Sequence, residues 1–386
     1  MRPQTRSVSL WCQPARAEVR YQPLGAVGII VPWNYPIFLA AAPLSAALAA
    51  GNRALIKMSE ITPATASLFA ELVEKYFADD ELSVVEGDVN VAREFSQLPF
   101  DHLLFTGSTP VGRQVMRAAS ENLTPVTLEL GGKSPAIIGP ALAPADFAYA
   151  VERIIIGKCL NAGQTCIAPD YVLLPAGQEQ AFIEQARRVV AACYPDLEKT
   201  ADYSTIVDQR QYARLSAYLE EARTSGATIV DLAADTVADP VRRRLPPMAL
   251  LGAEDGLRVM QEEIFGPLLP LRPYRDLDEA IAFVNGRPRP LALYYFDSEC
   301  MQIERILDET VSGGVTINDT ILHIAQDDLP FGGVGPSGMG CYHGFAGFET
   351  FSVRKSVFRQ SRWSGIGLFK PPYRRLFEHL TRILLR

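Results

Sequence analysis

Residues 24–60 read LGAVGIIVPWNYPIFLAAAPLSAALAAGNRALIKMSE. Leu24 to Val31 is an apolar run short enough for a buried strand, and Pro32 ends it. Ile37 to Ala50, rich in Ala and Leu, reads as a buried helix stopped by Gly51-Asn52. Ala54 to Ile56 is then a second strand. Thr62 reads as an N-cap with Pro63 at the first helical position, and apolar spacing continues to Phe77. The alternation persists: strands at Leu82–Val85, His102–Phe105 and Val126–Leu130, and helices at Val89–Leu98 and Pro110–Ser120. Strand-helix repetition of this kind predicts an α/β fold, a Rossmann-like parallel sheet covered by helices on both faces. Ligands of such sheets bind beyond the carboxyl ends of the strands. That rule singles out Trp33-Asn34, Lys57 to Glu60, Gly87-Asp88, Thr106-Gly107-Ser108 and Glu129 to Gly132.

A second α/β unit begins after Pro135. Helical patterns cover Phe147–Leu160, Gln180–Ala192, Gln211–Arg223 and Leu277–Asn285. They alternate with strands at Tyr171–Leu174, Leu268–Leu271, Leu291–Phe296 and Val315–Ile317. The Ala-, Asp- and Arg-rich stretch 233–244 reads as a surface connection, and the glycine-rich run Gly332–Gly340 as a loop. Phe351–Phe358 alternates like an edge strand with no turn leading to a local partner, so it is expected to extend a sheet across subunits of a homodimer. Tyr373–Arg386 reads as an amphipathic helix, with Leu376, Phe377, Leu380, Ile383 and Leu384 on one face. It would pack over an active-site mouth or touch lipid.

The 386 residues are 48% hydrophobic and 21% charged, ordinary globular usage with room for two or three cores. Charge sums to 37 − 44 = −7, so no basic field is present to hold nucleic acid. Arg20 to Arg53 encloses no charge, but Pro23, Gly25, Gly28, Pro32, Pro36 and Pro43 break that stretch below membrane-spanning length, and no stable membrane insertion is expected. Six scattered cysteines and four histidines form neither a disulfide scaffold nor a His/Cys zinc pattern; a metal-free, cytoplasmic protein is expected.

Asn161-Ala-Gly-Gln-Thr-Cys166 lies directly after a helix and before a strand. A tight glycine-containing turn can present one thiol with partial exposure and donors near its oxyanion, as a nucleophile with a depressed pKa requires. Cys159, on the preceding helix, suits a plain buried role. Glu129, between leucines at a strand end, should be partly desolvated and so raised towards a general base, unless it pairs with Lys133. Gly107, Ser108 and Gly112 lie in a strand-to-helix turn able to leave amides free for phosphate. Lys57 and Glu60 suit phosphate or ribose contacts.

These strings do not stand alone. Val31-Pro-Trp-Asn-Tyr-Pro36, Lys57-Met-Ser-Glu60, Phe105-Thr-Gly-Ser108, Leu128-Glu-Leu-Gly-Gly-Lys133, Gly163-Gln-Thr-Cys166, Glu262-Glu-Ile-Phe-Gly-Pro267 and Leu329-Pro-Phe-Gly-Gly333 follow one another as in the aldehyde dehydrogenase superfamily, which residues 20 to 360 resemble. Cys166-Ile-Ala-Pro-Asp-Tyr171 and the basic tail are most similar to the class-3 branch, bacterial coniferyl aldehyde dehydrogenases above all. The resemblance implies NAD(P)-dependent oxidation of an aromatic or medium-chain aldehyde to the carboxylate. Cys166 would be the nucleophile, Asn34 an oxyanion donor, and Glu129 the base for hydrolysis of the thioester. Trp33, Lys57, Glu60, Gly107, Ser108, Gly112, Glu263 and Phe265 would contact NAD, with NADP as a second acceptor. Asn318 and Phe331 would shape the substrate tunnel. It also implies a remnant of an N-terminal oligomerisation segment at 1–22, an NAD(P)-binding domain at 23–135, a catalytic domain at 136–345 and an oligomerisation strand with tail at 346–386. Two departures stand out: Met58 where many relatives have proline, and no helices ahead of Ser9, where family chains normally carry them. An inactive truncated fragment is one alternative. The other is a non-redox thioesterase or acyltransferase, which would use the same thiol but leave Lys57, Glu60 and Glu263 idle.

Overall fold

The computed structural model describes residues 2–233, 236–365, 371–373 and 375–384. Two short strands open the chain, β1 (Gln4–Arg6) and β2 (Arg16–Pro23). The first α/β unit then runs β3 (Ala26–Ile30), α1 (Pro36–Ala49), β4 (Arg53–Lys57), α2 (Pro63–Tyr76), β5 (Leu82–Val85), α3 (Val89–Phe95), β6 (His102–Thr106), α4 (Thr109–Ser120) and β7 (Val126–Glu129). The second contains β8 (Pro135–Ile138), α5 (Pro144–Cys159), β9 (Tyr171–Pro175), α6 (Glu179–Cys193), α7 (Gln209–Thr224), β10 (Thr228–Asp231), β11 (Met248–Leu251), α8 (Arg258–Gln261), β12 (Leu268–Tyr274), α9 (Leu277–Asn285), β13 (Ala292–Phe296), α10 (Cys300–Glu309) and β14 (Gly314–Ile317). The chain closes with β15 (Gly338–Met339), α11 (Gly344–Thr350), β16 (Ser352–Arg359) and α12 (Arg375–Leu384).

The first sheet has the order β15-β7-β6-β3-β4-β5 and is parallel from β7 to β5, as the alternation predicts. The glycine-rich run is not all loop: Gly338 and Met339 pair antiparallel with Glu129 and Leu128, so this segment lies against the end of β7. Gly338, at φ 145°, would place a Cβ 2.1 Å from the Leu128 carbonyl, which explains glycine there. The second sheet, β10-β11-β12-β9-β8-β13-β14, is parallel except for the edge strand β10. Its inner strands read as continuous apolar runs because helices cover both faces; Val172, Leu174, Ala292 and Tyr294 are fully buried.

β16 corrects one expectation. It already has a partner within its own chain, pairing antiparallel with β2 over eight residues from Ser352↔Pro23 to Arg359↔Arg16. The partner lies far back along the chain, so the short-range turn that hairpin logic looks for is absent by construction. Thr62 is a second correction: its hydroxyl caps nothing and is buried without a partner, and Pro63 alone marks the helix start. Part of the 233–244 connection, and Arg374, Leu385 and Arg386 of the tail, lie outside the described residues. Within the tail, α12 forms where amphipathic spacing predicts it. No helix of the described residues is long and apolar enough to cross a membrane.

Candidate active site

The C-terminal ends of β3, β4, β6 and β7 point toward one region, and α5 delivers the cysteine turn to it. Past α5 the chain makes a 3-10 turn, Leu160–Gly163, in which Asn161 and Ala162 adopt φ near 51° and 52°. Two non-glycine residues in the left-handed region are a local strain that the surroundings must hold. Gln164 does much of this holding: its amide donates to the carbonyls of Asn161 and Thr205, both at 3.0 Å, and its Oε1 accepts from Val207 N–H at 2.9 Å. Gly163 allows the turn to press on the 262–267 loop, since a Cβ there would meet the Gly266 carbonyl at 2.3 Å. Asn34 is bound into the same turn. Its Nδ2 donates to the Gln164 carbonyl at 3.1 Å, and its own carbonyl accepts from Asn161 Nδ2 at 3.2 Å. One amide hydrogen of Asn34 is left for an oxyanion. Tyr35 adds a bond between its hydroxyl and Thr165 Oγ1 at 2.7 Å.

Cys166 is half-buried. Its thiol is pushed well up by burial and by the nearby carboxyl groups of Glu263 and Glu129, while the Cys166 and Ile167 N–H groups aimed at the sulfur oppose that rise only in part. A resting thiolate is therefore not what this geometry supports; the thiol needs a base as the aldehyde is attacked. Cys159, buried among apolar side chains, is pushed up to about 12 by desolvation and takes the plain structural part.

Glu129 is 2% exposed, and neither carboxyl oxygen has a hydrogen-bond partner among the described residues. Desolvation holds its pKa far above the ordinary carboxylate range. The expected alternative, an ion pair with Lys133, does not form. Lys133 binds Asp170 and donates to the carbonyls of Val259 at 2.7 Å and Glu262 at 3.1 Å. Asp170 also accepts from Ile264 N–H at 2.9 Å. Arg214 holds the same loop from its other side through the carbonyls of Glu263 at 3.2 Å and Ile264 at 2.7 Å. Glu263 is positioned by these backbone anchors. Its carboxyl sits where a Cβ on Gly131 would come within 2.2 Å, accepts from Gly132 N–H, and is pushed up to about 8, chiefly by burial. Sequence reasoning does not single out Asp170. An acid between a proline and the start of a buried strand is the available signal.

At the other end, Lys57 is 1% exposed at the end of β4 and donates to the carbonyls of Met58 at 2.6 Å and Gly87 at 2.8 Å. Burial lowers its pKa, and Glu60, exposed, lies 3.8 Å away. Ser108, the N-cap residue of α4, makes no side-chain cap, so the first-turn amides stay open to an anion. Gly112 lets that helix approach the strand end, since a Cβ would meet Leu130 at 2.6 Å. Trp33 and Phe265 meet edge to face at 5.3 Å, joining the loop after β3 to the loop that carries Glu263. A buried cation, an exposed acid beside it, an uncapped helix start and close-packed glycines fit a dinucleotide lying from Lys57 to Glu263.

Phe331 is buried beside this centre. Asn318 braces a turn at φ 57°: its Oδ1 accepts from Asp297 N–H and its Nδ2 donates to the Asp297 carbonyl, both at 2.9 Å.

The aldehyde dehydrogenase family profile matches residues 2–357. A Pseudomonas aeruginosa protein named as a probable coniferyl aldehyde dehydrogenase is 57% identical over 381 residues, spanning 99% of this chain and 79% of that one. Among solved structures, the substrate-bound state of Staphylococcus aureus AldH superposes with a TM-score of 0.92 at 40% identity, covering 99% of this chain and 82% of the other. The Mycobacterium tuberculosis aldehyde dehydrogenase complexed with NAD+ gives 0.83 at 31% identity, covering 94% and 74%.

Proposed function

From the chain's membership of the aldehyde dehydrogenase family, oxidoreductases that act on aldehydes with NAD(P) as acceptor, we propose how its own residues divide the work. The observation that carries the reading is Glu129, buried with two unbonded oxygens, close enough for its charge to act on the Cys166 thiol. Cys166 attacks the aldehyde carbon as its proton leaves to the Glu263 carboxylate, the other acid acting on the thiol, and the carbonyl oxygen gains negative charge between Asn34 Nδ2 and the Cys166 N–H. Loss of hydride from this thiohemiacetal leaves a thioester on Cys166. Glu129 then takes a proton from water as that water attacks the thioester, and the carboxylate departs with the thiol restored. NAD, when bound, supplies the hydride acceptor; Lys57 and Glu60 would hold its adenosine ribose, Gly107, Ser108 and Gly112 its pyrophosphate turn, and Glu263, Trp33 and Phe265 its nicotinamide end.

The physiological substrate is proposed as a coniferyl-type aromatic aldehyde, on the strength of the 57% identical relative. Domains are proposed at 23–135 and 136–345, flanked by oligomerisation segments at 1–22 and 346–386; β15 returns from the second stretch to the edge of the first sheet. A homodimer is proposed through the free outer edge of β16, which ends its sheet. A reducing cytoplasm suits the free cysteines. NADH absorbance with a panel of aldehydes tests the activity: turnover with NAD is expected, and thioester cleavage without nucleotide in place of NADH formation would contradict it. Light scattering at micromolar concentration tests the dimer, which a monomeric mass would exclude.

A further inference from the structure

Cys166 and Ile167 occupy the two central positions of a tight turn that Ala168 N–H closes on the Thr165 carbonyl at 3.0 Å. Ahead of the sulfur this turn is held by the bonds of Gln164 and by Tyr35 on the Thr165 hydroxyl. Beyond the sulfur, the Tyr294 hydroxyl donates to the Ile167 carbonyl. Tyr294 lies on β13, between β8 and β14 in the second sheet. Alternation turns its ring toward the core that Cys166 packs against, and the Tyr295 ring toward the core on the other face. Inner strands of a covered parallel sheet need only apolar side chains, and phenylalanine would fill this space. Tyr294 is fully buried, so its hydroxyl is a desolvated polar group whose place in the core calls for a bonded role.

The same hydroxyl is tied to a strained segment. Ile321 N–H faces the Tyr294 oxygen, and Ile321 holds φ at 65°. The left-handed region is a genuine outlier for a β-branched residue and costs about 1–3 kcal/mol. The loop that carries Ile321 is fastened to α5, the helix that delivers the cysteine. Arg153 pairs with Asp319 at 2.8 Å, and Thr320 Oγ1 donates to the Arg153 carbonyl at 3.0 Å. Gly157 admits that contact, since a Cβ there would meet Thr320 Oγ1 at 2.3 Å. The loop after β14 therefore grips the helix before Cys166 and, through Tyr294, reaches the residue after it. Strain of this kind persists only where the surroundings over-determine it.

Resting on the reading of Cys166 as the nucleophile, we propose that Tyr294 is a positioning residue for the reaction: its hydroxyl, set between Ile321 N–H and the Ile167 carbonyl, keeps the Ile167 N–H aimed at the Cys166 sulfur. That N–H is one of two backbone donors that favour the charged sulfur as the thiol loses its proton. The central peptide of a β-turn is oriented differently in types I and II, so an anchor on Ile167 selects the orientation that serves the sulfur. Without the hydroxyl the core stays filled, but the turn loses its alignment with the thiol.

Tyr274 supplies a matched control. It is buried, and its hydroxyl donates to the carbonyl of a strand residue, Ile138, in the core on the other face of the sheet. Tyr294→Phe and Tyr274→Phe are compared with the wild type by thermal melts, by the pH profile of Cys166 alkylation with iodoacetamide, and by kcat/KM for benzaldehyde with NAD. Both variants should melt below the wild type by similar amounts, since each loses one buried hydrogen bond. Tyr294→Phe alone should slow Cys166 alkylation and lower kcat/KM, each by roughly 3–10-fold, the worth of one hydrogen bond. Its alkylation profile should move to higher pH, and KM for NAD should not change. Equal effects of the two variants on alkylation and kcat/KM overturn the proposal, as does a Tyr294→Phe profile that overlays the wild type. A Tyr294→Phe protein that does not melt cooperatively where Tyr274→Phe does would also overturn it, because the hydroxyl would then serve folding. A wild type that forms no NADH from any aldehyde defeats the oxidoreductase reading beneath it, an outcome separate from the alkylation comparison.

Discussion

At the end of the site proposed to hold the dinucleotide, the Lys57 ammonium is already engaged by two backbone carbonyls, and Glu60 stands in solvent 3.8 Å away. At the catalytic end Glu129, Tyr342 and His343 are buried with polar atoms unbonded, and one oxygen of Glu263 joins them. The first region is a surface that a cofactor meets with little rearrangement of charge. The second is dry and electrostatically unsatisfied, so each group there is stabilised only when a reacting partner arrives. A low-dielectric pocket strengthens every interaction formed in it, which suits the transient oxyanion and the proton transfers. The same dryness raises the thiol and both carboxyls above their ordinary pKa values.

If the dry end carries the chemistry, the largest effect comes from Cys166→Ala. Aldehyde oxidation and any esterase activity should both fall by at least about 10⁴-fold, since both need the same covalent intermediate. Thermal melts with NAD should still show stabilisation, because the dinucleotide end is untouched. Retained esterase activity would separate the two functions and break the assignment.

Burial also makes a prediction about stability. Folding raises the Glu129 pKa above its unfolded value near 4.3, so the folded state is favoured most below that pH and loses stability as pH rises toward the folded pKa. Glutamine does not ionise. Glu129→Gln should therefore melt near the wild type at pH 5 and above it at pH 8 to 9, by about 1–3 kcal/mol at most. Calorimetry across that range checks it; a variant less stable at pH 9 than at pH 5, relative to wild type, would contradict a partnerless carboxyl.

A smaller effect belongs to the exposed end. Glu60 can accept from ribose hydroxyls but repels a 2′-phosphate. The wild type should prefer NAD, and Glu60→Gln should narrow the NAD-to-NADP ratio of kcat/KM by up to about tenfold. A wild type working better with NADP would reverse the reading of this end.

The parts legible in the sequence are those whose signal is local. The β-α alternation from Leu24 to Leu130 reports both the sheet and which strand ends carry ligands, and the glycine-flanked turns at Gly107, Gly131 and Gly163 mark the places where a Cβ would collide. Long-range pairings are not legible there. Lys133 and Asp170 lie 37 residues apart and meet across two loops, so neighbouring charge at Glu129 is a misleading cue. β2 and β16 meet from opposite ends of the chain. Tyr342 and His343 carry no motif, and only the fold shows that their polar atoms are sealed in with Phe331. Asn318 is ambiguous in the sequence because an asparagine beside a strand end suits a ligand as well as a turn, and the fold shows it at φ 57° bonded to Asp297.

The division of labour between Cys166 and Glu129 has one direct test. Glu129→Gln is mixed with aldehyde and excess NAD, NADH is followed in the first turnover, and the quenched protein is mapped by mass spectrometry. Steady turnover should fall by about 10²–10⁴-fold, the worth of a positioned base. A burst approaching one NADH per site should remain, with the acyl group trapped on Cys166. Full steady activity, or an acyl adduct on Cys159 instead of Cys166, would contradict the account.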